Sequence, residues 1–89
     1  MTRVDARQYG GQGIRINCVC PGVVETPLLL KSNLSQQWYD VAKAQCPMNR
    51  LIHPSEIAEG VMFLHGSGAS SVTGIHLPLD GGALLYHVI

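Results

Sequence analysis

Two short runs of strand character, separated by more than fifty residues that read as helix and loop, constrain this chain more than any other feature. In "GIRINCVC" the positions Ile14, Ile16, Cys18 and Cys20 alternate with Arg15, Asn17 and Val19, which is the period of a strand. In "TGIHLPLDGG" Ile75, Leu77 and Leu79 alternate with His76 and Pro78 before a turn at Asp80-Gly81-Gly82. Strands joined through helices rather than a tight hairpin are most simply parallel. A parallel sheet needs helices on both faces, and two strands do not make a free-standing one. The 89 residues are therefore expected to form the last third or half of an α/β domain, with the last two strands of a doubly wound parallel sheet. Pro78, which has no N–H to give a ladder, marks an edge strand.

Helical stretches fill the space around these strands. Residues 1–9, "MTRVDARQY", read as the end of a helix, with Gly10-Gly11 as its stop and Gly13 as a second joint. "LSQQWYDVAKAQC" places Leu34, Trp38, Val41 and Ala42 on one side, with Asn33 as N-cap and Gln36 three residues on. Pro47 ends that helix. "HPSEIAEGVMFLHGSG" is the best-marked helix. Pro54 suits its first position, His53 its cap and Glu56 its positive end, while Ile57, Val61 and Leu64 line one face.

Composition narrows the function classes. Six basic and six acidic residues cancel and form no stripe, so neither nucleic acid nor an anionic membrane is expected as a partner. No apolar run approaches the ~20 residues of a membrane span, and no signal peptide opens the chain. An apolar fraction of 46% against 13% charged residues points to surfaces covered by something else. Cys18 and Cys20 share a strand face, which is poor geometry for bridging each other, and the cysteines are odd in number. A reducing, cytoplasmic compartment is expected. His65, His76 and His87, with Cys18 and Cys20, show no zinc-ligand spacing, and no metal site is expected.

The stretch "INCVCPGVVETPLLL" carries the candidate site. Open parallel sheets bind ligands beyond the carboxyl ends of their strands. There Pro21 is expected to end the ladder and Gly22 to admit a ligand close to the backbone. The amides of Val23 and Val24 and the hydroxyl of Thr26 follow as polar contacts. Alone, Pro-Gly marks no more than a turn.

Three blocks in order change that reading: "GIRIN-x-V-x-PG-x-V-x-TP", then "PMNRLIHPSEIA", then "FL…AS…VTG…L…DGG". Together they resemble the short-chain dehydrogenase/reductase family over essentially the whole chain, residues 1–89. The resemblance implies a partial Rossmann-like fold, NAD or NADP as cofactor, and hydride transfer between an alcohol and a carbonyl group of a small molecule. It carries the nicotinamide pocket onto Pro21, Gly22, Val24 and Thr26. It carries a substrate lid onto residues 27–46, with Leu28, Leu29 and Trp38 facing substrate, and it places the Asp80-Gly81-Gly82 turn near a subunit interface of a homo-oligomer. The family's glycine-rich turn and its catalytic Asn, Ser, Tyr and Lys have no counterpart here and would precede Met1, so no catalytic residue is assigned. Tyr39-x-x-x-Lys43 has the catalytic spacing but stands in the lid block. Asn49 and Ile52 stand where relatives often have glycine; Asn takes a left-handed backbone readily, Ile does not.

Three functions fit. They are the carboxyl-terminal portion of an NAD(P)-dependent oxidoreductase that is inactive in isolation, a truncated homologue acting by association with full-length subunits, and a small-molecule binding module. All three leave apolar faces and strand edges uncovered. Expressed alone, the chain is expected to associate or to melt without cooperativity. A sharp thermal transition from a monodisperse monomer, read by circular dichroism and light scattering, would contradict this.

Overall fold

The computed structural model describes residues 1–85; Tyr86 and His87 lie outside the described residues. The elements in chain order are α1 (Thr2–Tyr9), β1 (Cys18–Pro21), α2 (Pro27–Leu30), α3 (Gln36–Ala44), α4 (Pro54–His65) and β2 (His76–Leu79). The strands pair in parallel, Cys18 opposite His76 and Pro21 opposite Leu79, with the intervening helices as the crossover. This is the expected helix–strand–helix–strand order, with the strands as two neighbours of a parallel sheet.

The first strand is shorter than its alternation promises, and it runs one residue further. Residues 14–17 lie outside the ladder: the Gly74 amide donates to the Ile16 carbonyl at 2.8 Å, and side chains make the other bonds to the facing segment. Asn17 Nδ2 donates to the Val72 carbonyl and Asn17 Oδ1 accepts from the Ile75 amide, while Thr73 Oγ1 accepts from the Ile16 amide. The facing segment is a turn, closed by Gly74 at φ 76°, and offers no strand to pair with. At the other end Pro21 does not stop the pairing. It lies within β1, and the next amide, Gly22, donates to the Leu79 carbonyl at 3.3 Å. A proline withholds one donor; its neighbour still supplies the next.

The helix ends follow local chemistry. Helix α1 ends at Tyr9, as expected; the chain then tightens into a 3-10 turn over Gly10–Gln12 and reverses at Gly13, φ 77°, the expected second joint. Ser35, rather than Asn33, caps α3 by accepting from the Trp38 amide at 3.2 Å. Asn33 takes the left-handed conformation just before it, at φ 54°. The short helix α2, unanticipated from periodicity, follows Thr26, whose Oγ1 accepts from the Leu29 amide.

Helix α4 is anchored at both ends. His53 Nδ1 accepts from the Ser55 amide, and Glu56 accepts from the His53 amide at 3.0 Å. Arg50 grips the same carboxylate with both guanidinium nitrogens, at 2.7 and 2.8 Å. At the far end Arg15 donates to the carbonyls of Leu64 and Val72, tying the last turn of α4 to the approach of β1. Between these anchors Gly60 lets the helix lie on β2, since a Cβ there would run into Leu79. Ala6, Cys46, Ile52, Leu64 and Ala69 are buried, whereas Val61, Met62 and Phe63 are at least half exposed. The face expected from Ile57, Val61 and Leu64 is thus only partly covered. No helix among the described residues is long and apolar enough to cross a membrane.

The Arg50–Glu56 clasp makes the fold pH-sensitive. Hydrogen bonds from Arg50, then from the His53 amide, push the Glu56 carboxyl down to about 2 from an ordinary 4.5. A carboxyl depressed on folding contributes stability above its unfolded value and loses it as pH falls toward the folded one. The helical circular-dichroism signal of the native chain is expected to weaken between about pH 4.5 and 2. Glu56→Gln should flatten that part of the titration; an identical acid profile would place the sensitivity elsewhere.

Candidate functional site

Beyond β1 the chain is pinned to the segment leading into α4. Val24 and Ile52 form a parallel bridge, in which the Ile52 amide donates to the Val23 carbonyl at 2.9 Å and the Glu25 amide to the Ile52 carbonyl at 2.8 Å. The Thr26 amide then donates to the Val24 carbonyl at 2.9 Å, a three-residue turn that aims the chain into α2. These bonds fix the strand end without using the amides of Val23 and Val24, which enter no hydrogen bond among the described residues. Thr26 spends an oxygen lone pair on the Leu29 amide and keeps its O–H to donate. Val24 and Thr26 are half-buried and Val23 is exposed. The result is an edge of backbone and hydroxyl donors at the carboxyl end of a parallel strand.

At Gly22 a Cβ would stand 2.9 Å from both Cα and Cβ of Asp80, so the glycine serves the close approach of the two strand ends. Asp80 in turn organises its own turn, its carboxylate accepting from the Gly82 amide at 2.9 Å and the Leu84 amide at 3.0 Å. Gly81 and Gly82 take left-handed φ of 64° and 93°, and a side chain on Gly81 would collide with Cys46 Sγ. The Met48 amide donates to the Gly81 carbonyl, and Asn49 takes φ 57°, as its residue type allows. Ile52 needs no such conformation, because it sits in the bridge to Val24 and is 4% exposed.

Residues 27–46 form two capped helices, α2 and α3, joined where the Tyr39 hydroxyl reaches the Leu29 carbonyl at 3.5 Å. Leu28 is 79% exposed, Leu29 is half-buried, and Trp38 meets Tyr39 edge-to-face with ring centroids 5.2 Å apart. The roomier clefts lie elsewhere. One of about 400 Å³ is lined by Gly13, Arg15 and Ser67, and another of about 600 Å³ by Met48, Ile52 and Phe63. Neither touches Val24 or Thr26, while a small cleft of about 40 Å³ between Val23, Cys46, Leu51 and Ala83 reaches the start of the donor edge.

One constellation escapes linear spacing. Cys18 and Cys20 share a face of β1 with Sγ atoms 3.9 Å apart, and the pairing of the strands sets His76 directly across from Cys18. The ligating atoms of all three lie within 4.8 Å of one another. Burial, then the hydrogen bond with Cys18, pushes the Cys20 thiol up. The signal that would have found this group is the strand register, not residue spacing.

Comparison with known proteins bears on the same residues. Residues 1–84 match a family model described as enoyl-(acyl carrier protein) reductase. The chain is 39% identical over 82 residues to a galactitol 2-dehydrogenase (L-tagatose-forming) of Cereibacter sphaeroides, covering 92% of this chain and 32% of the relative. It is 35% identical over 85 residues to a 3-oxoacyl-[acyl-carrier-protein] reductase of Thermotoga maritima, covering 96% and 34%. A solved structure of a short chain dehydrogenase family protein from Francisella tularensis superimposes with a TM-score of 0.83 at 33% identity, over 96% of this chain and 39% of that one. The chain therefore spans about a third of the length of the curated relatives it matches. With the parallel strand pair, the donor edge beyond it and a family match across nearly every residue, this chain belongs to the short-chain dehydrogenase/reductase family.

Proposed function

We propose that this chain forms the carboxyl-terminal part of an oxidoreductase that uses NAD or NADP on an alcohol or carbonyl group, and that its role is to hold the nicotinamide end of the cofactor. The observation that carries the reading is the unengaged Val24 amide beside the Thr26 hydroxyl, at the strand end where parallel sheets place ligands. The residues fit the group, because a carboxamide oxygen needs donors and this edge offers them. When bound, the nicotinamide supplies the site that accepts or gives the hydride. Val24 and Thr26 orient its ring, Pro21 and Gly22 set the strand end they project from, and α2 and α3, with Leu28, Leu29 and Trp38, cover the substrate. The relatives named for galactitol and for a 3-oxoacyl group both act at an oxygen-bearing carbon, which supports this substrate class. Tyr39 and Lys43 take no part in proton transfer, since the hydroxyl is turned to the Leu29 carbonyl. The chain by itself is inactive. The exposed Val61, Met62 and Phe63 support association of subunits, and three free thiols support a cytoplasmic setting.

Cofactor titration of an intact enzyme carrying this segment tests the reading. Thr26→Ala is expected to weaken cofactor binding about 2- to 13-fold, the worth of one neutral hydrogen bond, and Thr26→Ser to restore it. Unchanged binding in Thr26→Ala would place the nicotinamide elsewhere. Tyr39→Phe is expected to leave turnover intact, and a selective loss of kcat would contradict the role given to α3. Gly22→Ala should lower the melting temperature through its collision with Asp80, with or without cofactor. A loss confined to cofactor affinity would return Gly22 to the ligand.

A further inference from the structure

We propose that Cys18, Cys20 and His76 form a binding site for one thiophilic divalent cation, zinc in the first place. Tetrahedral zinc with bonds of about 2.3 Å to sulfur sets two thiolates about 3.8 Å apart. Cys18 Sγ and Cys20 Sγ already stand 3.9 Å apart on one face of β1, and Val19 between them points to the other face. The third donor comes from the register, which fixes His76 opposite Cys18. With every ligating atom within 4.8 Å of the others, a rotation of the exposed His76 ring completes three corners of the tetrahedron. The fourth remains open to water or an added thiol.

The chemistry of the donors selects the ion. Two sulfurs and an imidazole suit zinc and its soft analogues, and offer nothing to calcium or magnesium, which require oxygen. Asp80, the nearby carboxylate, is occupied by the amides of Gly82 and Leu84. On binding, each thiol loses its proton to solvent and two metal–sulfur bonds form, while the imidazole binds as the neutral base. Two thiolates cancel the dication, so a half-buried sheet face gains no net charge. Closing the same pair into a disulfide would instead require the sulfurs to approach from 3.9 Å to about 2.05 Å across a residue held in the ladder.

The experiment is titration of the reduced intact enzyme carrying this segment with Co²⁺, followed by the thiolate-to-metal charge-transfer absorption and then by displacement with Zn²⁺. One Co²⁺ per chain and full displacement by Zn²⁺ are expected, a result that needs no variant. Cys18→Ser and Cys20→Ser should each halve the band. His76→Ala should weaken binding by more than the roughly 10- to 100-fold that loss of a ligand's outer hydrogen-bond partner costs. Cys46→Ser and His65→Ala should leave both band and affinity unchanged. Zn²⁺ should raise the melting temperature of that intact enzyme and not that of its Cys18→Ser/Cys20→Ser double variant. No charge-transfer band, one ion shared by two chains, or weakening by Cys46→Ser equal to that by Cys18→Ser would overturn the proposal. The last result would mean that unfolded thiols capture the metal.

Discussion

The parallel pairing of Cys18–Pro21 with His76–Leu79 is the contact on which the rest of this structure depends. It is only four residues long on each strand, yet it joins segments from the two ends of the chain. Closing so long a loop costs conformational entropy before any contact repays it, and a short ladder repays little. The strands are therefore reinforced from outside the ladder. Arg15 and Asn17 bind the loop that precedes β2, and the bridge from Val24 to Ile52 continues the parallel arrangement beyond β1. Gly22 and Gly60 remove side chains at two places where backbone or helix must come close. What the pairing lacks in length is supplied by polar clasps and bare glycines around it.

The same pairing brings chemistry together. Beyond the strand ends it sets the Asp80 turn against Gly22 and leaves the Val24 amide and the Thr26 hydroxyl at the open edge. Across the strands it sets two thiols beside an imidazole. Both groups are assembled by the register of the same two strands, from residues far apart in the chain.

How far these features were legible follows from the kind of interaction that makes them. The helix α4 was readable in full, because Pro54, His53 and Glu56 act on their own neighbours within a turn. The parallel order was readable from the length of the connection. The true start of β1 was not, since the alternation of Ile14 and Ile16 continues into a stretch whose partner is a turn. Nor was the cap of α3, where Asn33 and Ser35 are equally good cap residues and only the backbone path decides between them. Gly22 was recognised as a place of close approach, but its neighbour Asp80 was not, because it lies at the opposite end of the sequence. The contact between Cys18 and His76 fails to appear in the sequence for the same reason.

Thr26 carries one more consequence. Its oxygen accepts from the Leu29 amide and still keeps one lone pair and its proton, while the amides of Val23 and Val24 beside it can only give. The rim therefore combines fixed backbone donors with one group of either polarity. Helix α2 contributes position rather than polarity: by holding the oxygen it keeps in one place a hydroxyl that would otherwise swing with its rotamer.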